Sequence, residues 1–229
     1  MSRLVVAIDG PAGAGKSTVS RRLAEALGYR YVDTGAMYRI IGVLAAEAGI
    51  DLTDGAALGA LCDRTSMSFE DRHGRLRVFA NGRDLSSAIR TAAAGQLASR
   101  VSAVPAVREH LVAKQRAMAA GGGVVMEGRD IGTVVCPDAA VKVFLDASPH
   151  ERARRRAHEL HGAPTAAEVD RMAQEIAERD ARDRTRTHSP LRPATDAVVV
   201  DTTTRGIDDV INELRALVAA RAAELASHS

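Results

Sequence analysis

The octet Gly10-Pro11-Ala12-Gly13-Ala14-Gly15-Lys16-Ser17 satisfies G-x-x-x-x-G-K-[ST] and follows directly on the apolar run Leu4–Ile8. Glycines permit a tight loop whose backbone N–H groups converge on nucleotide phosphates. The helix opening at Lys16 aims its dipole at the same point. In such a loop the lysine ammonium reaches the β- and γ-phosphates, and the Ser17 hydroxyl supplies one ligand to Mg²⁺. With a strand before it and a helix after it, the segment Gly10–Thr18 reads as an ATP cradle rather than an empty glycine-rich turn.

Other segments carry anion-binding chemistry toward the same place. Asp33-Thr34-Gly35-Ala36-Met37-Tyr38-Arg39 stands at the carboxyl end of a second strand, where ligands of open α/β sheets bind. Thr34 either caps the next helix or faces that crevice. Arg39, about a turn further on, is placed to clamp a second anion. A third strand ends in Glu127-Gly128-Arg129-Asp130. Its arginine and aspartate offer a phosphate contact and a hydrogen bond to a base or sugar, or else form a surface pair.

Two arginine clusters follow. In Glu151-Arg152-Ala153-Arg154-Arg155-Arg156, residues 152 and 156 share a helix face while 154 points elsewhere. In the run 179–186, Arg179, Asp183 and Arg186 fall on one face at helical spacing. Arg182 flanks that face, and Arg184 lies on the far side. An ion-pair-laced helix is the alternative reading of this run. A hydrolytic switch needs one phosphate chain held. A triphosphate cradle with several convergent arginines suits transfer to an acceptor that itself carries phosphate.

These residues need a scaffold. Five Val- and Ile-rich runs, Leu4–Ile8, Tyr29–Asp33, Val124–Glu127, Val141–Asp146 and Ala197–Asp201, lack polar alternation and fit strands buried on both faces of a parallel sheet. Helical periodicity spans Lys16–Leu27, Tyr38–Ala48, Val107–Ala120, Pro149–Leu160, Glu168–Arg186 and Ile207–Ala226. Alternating strands and helices predict an α/β fold: a P-loop five-stranded parallel sheet flanked by helices. The second and third strands are about 90 residues apart, against roughly 30 for a simple βαβ unit. A hairpin of Met67–Glu70 and Leu76–Ala80, then the turn Asn81-Gly82, accounts for part of that excess. Residues 63–99 are expected to form a small inserted β-containing subdomain, within one P-loop domain spanning 1–229.

Composition narrows the function classes. The chain has 229 residues, 46% of them hydrophobic and 26% charged, with a net charge of +2. Those values are ordinary for a globular domain. Lysine occurs only at Lys16, Lys114 and Lys142, so nearly all of the 31 basic residues are arginines, the better bidentate partner for phosphate. A near-neutral charge, no Trp, three Tyr and three Phe argue against nucleic acid as partner. Cys62 and Cys136 are far apart and unpaired by motif, which predicts reduced thiols in a cytoplasmic protein. The first apolar run is too short for a membrane span. No apolar seam stands out, so a monomer is expected.

The sequence resembles the bacterial cytidylate kinase family across essentially its whole length. The matching segments are Ile8-Asp9-Gly10-Pro11 into the phosphate loop, Asp33–Arg39, Ile89-Arg90-Thr91, and Ala98-Ser99 to Val107-Arg108-Glu109. They continue with Glu127-Gly128-Arg129-Asp130-Ile131-Gly132-Thr133-Val134-Val135, Phe144-Leu145-Asp146-Ala147-Ser148, and Glu178-Arg179-Asp180 through Asp183-Arg184. The phosphate loop is generic; Gly128-Arg129-Asp130 and the insert are more particular. The family often has serine where Thr34 stands and aspartate where Glu127 stands. Thr34 keeps the hydroxyl. The resemblance implies Mg²⁺-dependent phosphoryl transfer from ATP to CMP or dCMP, with a helical lid over 150–164. It implies that Ser99, Arg108 and Asp130 read cytosine, that Thr34 contacts the acceptor, and that Asp183 holds a ribose hydroxyl. Arg39, Arg129, Arg179 and Arg186 would surround the monophosphate and the transferring group. Lys16 would hold the donor phosphates and a lid arginine, Arg156, would close on them.

Overall fold

In the computed structural model, which describes residues 3–72 and 75–227, the chain divides into two compact units. One comprises residues up to Asp33 together with Arg116 onward; the other is Thr34–Gln115. The first holds a five-stranded sheet in the order β2 (Arg30–Asp33), β6 (Val124–Gly128), β1 (Val5–Asp9), β7 (Val141–Asp146), β8 (Val198–Asp201). Every pairing in it is parallel. The five expected strands are the five observed, each within a residue of its predicted limits.

The three inner strands are the most apolar. Val6, Ala7, Ile8, Val124, Val125, Met126 and Leu145 are wholly buried. Helices α1 (Lys16–Leu27) and α8 (Ile207–Ser227) supply Val19, Leu23, Val210, Leu214 and Val218 to that core. Helices α6 (Pro149–His161) and α7 (Ala166–Thr185) build a second apolar cluster from Ala153, Ala157, Met172 and Ile176, and Ala12 of the phosphate loop belongs to it. Ser148 caps α6, with Pro149 in its first turn. A reciprocal Thr165–Glu168 box starts α7. After β6 comes a turn of π-helix, Ile131–Val135. Among the described residues no helix is long and apolar enough to cross a membrane.

The second unit joins α2 (Thr34–Glu47), α3 (Gly55–Arg64), α4 (Ala92–Val101) and α5 (Pro105–Ala119), the last continuing into the first unit, with an antiparallel sheet. That sheet runs β3 (Met67–Arg72), β4 (Arg75–Ala80), β5 (Arg83–Asp84). The expected hairpin is present, although its tip, His73-Gly74, lies outside the described residues. Asn81 and Gly82 both take positive φ, 50° and 77°, as a tight two-residue turn requires. Helices α3 and α4 lie outside the helical periodicity of the sequence. Their caps are visible in the fold: Asp54 accepts from Ala57 N–H at 2.9 Å, and Thr91 accepts from Ala94 N–H at 3.1 Å.

Candidate active site

The phosphate loop joins β1 to α1, at the carboxyl edge of the sheet. Two of its glycines are obligatory. Gly10 has φ +149°, and a Cβ there would lie 2.0 Å from the Leu145 carbonyl oxygen. Gly13 has φ +78°, and its Cβ would meet the Arg152 carbonyl oxygen at 2.5 Å. Lys16 is buried and folds back to donate to the Pro11 carbonyl at 2.6 Å. Burial, with the Arg129 guanidinium next in effect and that of Arg179 further adding, pulls its ammonium down to about 7. Three cationic side chains from three segments therefore crowd one loop.

Behind Lys16 stands a set of hard oxygen donors. Ser17 is exposed at the start of α1. Asp33 and Glu127 lie directly opposite one another on the paired strands β2 and β6. Burial, then the Asp33 charge, holds the Glu127 carboxyl above its usual range. The Tyr31 hydroxyl donates to Glu127, and Ser17 bonds to both groups. Tyr31 belongs to no sequence motif; its two-residue offset from Asp33 on one strand is the one signal that places it on the same face. Like charges placed opposite one another are destabilising unless a cation or a proton intervenes. Hydroxyl and carboxylate oxygens are the donors a divalent magnesium ion takes. Among the described residues no group of three or more His, Cys, Asp and Glu gathers as a metal centre.

The Gly128-Arg129-Asp130 segment is held from two sides. Both Asp9 carboxylate oxygens accept backbone N–H bonds, from Ile131 and Gly132, at 2.8 Å each. Burial pushes the Asp9 carboxyl up to about 7 despite those donors. Arg129 Nε donates to Asp183 Oδ2 at 3.3 Å, and Arg179 Nε lies 3.9 Å from the same oxygen. Arg186 Nη2 lies 3.9 Å from Asp130, with both side chains nearly buried. The helix face drawn from Arg179, Asp183 and Arg186 thus meets Arg129 and Asp130 in this unit. Arg184 is exposed, as expected.

In the second unit, Thr34 is the first residue of α2 and is buried, as are Ser99 and Arg108. The Arg108 guanidinium stacks over the Tyr38 ring at 5.8 Å and donates to the Ser102 carbonyl at 3.4 Å. The Ser102 hydroxyl donates to the Ser99 carbonyl at 2.9 Å. Ser99 and Arg108 are therefore brought together through Ser102. Arg39 lies half-buried on α2.

On α6 the arginines divide. Arg156 pairs with Glu159 at 2.6 Å. Arg155 donates to the Thr202 carbonyl at 2.6 Å and comes within 3.7 Å of the place a Gly15 Cβ would occupy. Arg152 is buried against the phosphate loop itself. Sequence spacing set 152 and 156 on one face; only packing reveals which of the two reaches the loop.

A family model described as cytidylate kinase matches residues 6–220. A protein of Pelotomaculum thermopropionicum named cytidylate kinase is 52% identical over 94% of this chain and 96% of its own. One of Mycobacterium leprae with the same name is 52% identical over 96% and 98%. A gluconokinase from Sinorhizobium meliloti shares the fold at 19% identity, with a TM-score of 0.52 over 100% of this chain and 98% of its own. A phosphate loop crowded by arginines, on a five-stranded parallel sheet and in a sequence so close to these relatives, makes the chain a kinase that belongs to the cytidylate kinase family.

Proposed function

We propose that the protein transfers the γ-phosphoryl group of ATP to CMP, and to dCMP, yielding ADP and the diphosphate. The observation that carries this reading is the gathering of Arg129 and Arg179 on the buried Asp183 carboxylate, at 3.3 and 3.9 Å, in the unit that holds the phosphate loop and its buried Lys16. Such a cluster of positive charge is costly without an anion and suits one whose negative charge spreads during transfer. The relatives' shared name supplies the acceptor.

In this reading the loop amides from Gly13 to Thr18 bind the donor phosphates, and Lys16 leaves the Pro11 carbonyl to follow them. Arg129, held by Asp183, bridges the moving phosphoryl. Arg39, Arg179 and Arg186 neutralise the acceptor's monophosphate. Ser99, Arg108 and Asp130 accept and donate at the cytosine edge, Thr34 touches the acceptor, and Asp183 takes a ribose hydroxyl. Arg156, on the lid helix, closes on the triphosphate. Ser17 would hold Mg²⁺, with Asp33 and Glu127 behind it; bound there, the ion neutralises phosphate charge. The chain's part is alignment of two anions end to end and exclusion of water, with no covalent intermediate on the protein. The two free thiols support a cytoplasmic setting, and the chain is taken as a monomer.

ADP release from Mg-ATP, with CMP, dCMP, UMP, AMP and GMP each offered alone, tests the proposal. Strong turnover with CMP and dCMP and none with purines is expected. Activity with AMP in place of CMP would overturn the cytosine assignment of Ser99, Arg108 and Asp130. No turnover with any acceptor would overturn the function.

A further inference from the structure

Helices α6 and α7 each send a buried charged side chain to the same residue of the phosphate loop. Arg152 and Asp180 are 5% and 2% exposed. Arg152 Nη1 donates to Asp180 Oδ2 at 2.5 Å. The same Nη1 donates to the Ala12 carbonyl at 3.0 Å, while the Ala12 N–H donates to Asp180 Oδ1 at 3.3 Å. Arg152 Nε reaches back to the Ala147 carbonyl, just past β7, at 3.1 Å. Both backbone groups of Ala12 are thus satisfied by one ion pair. The Ala12 side chain packs among Ala153, Ala157, Met172 and Ile176, and the Arg152 backbone fills the space over Gly13.

We propose that Arg152 and Asp180 are positioning residues for the donor nucleotide: their buried pair sets the phosphate loop in register with α7. The physical case rests on what such a pair costs. Two charges removed from water repay their desolvation only in good geometry, and apolar residues of similar volume often stabilise a fold as well or better. A pair kept for stability alone would have no reason to meet both polar groups of a single loop residue. This one does, and the site's alignment depends on it. Asp180 is the neighbour of Arg179 and lies one turn before Asp183, which holds Arg129. Fixing Asp180 to Ala12 therefore fixes the distance between the loop's amides and the arginines that face Lys16. A displacement of about 1 Å in such an arrangement costs on the order of a hundredfold in rate. The α6 cluster, read from sequence as lid arginines, here contributes Arg152 to the loop's foundation.

The inference rests on reading the loop as the ATP site, so binding is measured apart from turnover. Three proteins are compared by calorimetric titration with ATP and with CMP, and by thermal unfolding: wild type, Asp180→Asn, and the double variant Arg152→Met/Asp180→Leu. The double variant should fold with a lowered thermal midpoint, since the Ala12 N–H and the Ala12 and Ala147 carbonyls lose their partners, and should bind ATP about tenfold or more weakly, with CMP affinity changed much less. Asp180→Asn keeps the volume and one acceptor for Ala12, and should lose ATP affinity about threefold or more. A double variant that folds and binds ATP as wild type does overturns the proposal, as does an equal loss of ATP and CMP affinity. If the double variant does not fold, Asp180→Asn decides alone, and unchanged ATP affinity there overturns the proposal. Wild type that binds ATP but phosphorylates no CMP overturns the function and leaves this inference standing on the binding data. Wild type that binds no ATP overturns both.

Discussion

Arg152 and Arg156 stand one turn apart on α6, are the same residue, and have opposite circumstances. The Arg152 side chain is 6% exposed and serves a carboxylate and two backbone carbonyls on other segments. Arg156 is 23% exposed and meets Glu159 of its own helix. The first is locked by surroundings it cannot leave without stranding Asp180. The pair with Glu159, whose own side chain is 64% exposed, holds the second far less firmly, because a pair open to water contributes little. In the proposed function the first kind of arginine sets the loop and the second follows the nucleotide as a lid closes.

The sharpest way to break that contrast lies at Arg129, a third arginine with features of both. It is held by Asp183 yet crowds Lys16. Arg129→Ala should lower turnover on the order of a hundredfold or more, since a charge aimed at the transferring group is worth several kcal/mol. Near-normal turnover in steady-state assays would remove Arg129 from the reacting centre. Next in size is the single change Arg152→Ala. It leaves Asp180 buried without its cation and should cost roughly 3–5 kcal/mol in denaturant unfolding. A loss no larger than that of Arg156→Ala would make the two arginines equivalent and dissolve the comparison.

What sequence could show follows the same division. The strands were legible because a strand buried on both faces of a parallel sheet is a bare Val and Ile run. The phosphate loop was legible because its chemistry fixes spacing. The face made by Arg179, Asp183 and Arg186 follows from the 100° helical step. Asp180, one step off that face, had no such signal, and only the packing of α6 turns it inward. The π turn at Ile131–Val135 depends on the Asp9 carboxylate, supplied by a strand more than 120 residues earlier. Helices α3 and α4 are rich in Ala and Gly, so their periodicity is faint, and their caps, Asp54 and Thr91, are seen only in the fold. Local pattern thus carries elements and faces. Which polar group is sealed in is decided by contacts distant in sequence.

Asp9 offers a smaller, pH-dependent test of how a sealed charge behaves. Its carboxyl titrates near 7 when folded, against about 3.8 when unfolded. With the folded value raised, the group's stabilising contribution is complete below pH 3.8 and is lost as pH rises through 7. The charges around it are Asp130, which raises that value, and Lys16, which lowers it. Asp9→Asn has no such titration. The thermal midpoint of wild type minus that of Asp9→Asn should therefore shrink steadily between pH 5 and pH 8. A constant difference across that range would mean Asp9 stays ionised throughout and is compensated by its two N–H donors.

The smallest effects belong to exposed Arg154 and half-buried Arg156 and complete the comparison from the other side. Arg154 pairs with Glu151 through two nitrogens at 2.7 and 2.8 Å, and Arg156 Nη1 donates to Glu159 at 2.6 Å. If two-nitrogen pairing decided importance, Arg154→Ala would be the costlier change. If freedom to reach a nucleotide decides it, Arg156→Ala should lower turnover severalfold while Arg154→Ala leaves turnover untouched. Both should keep the thermal midpoint within about a degree of wild type, since helix pairs open to water add little. Equal turnover in the two variants would take the closing role from Arg156 and pass it to Arg155, whose guanidinium already lies beside Gly15.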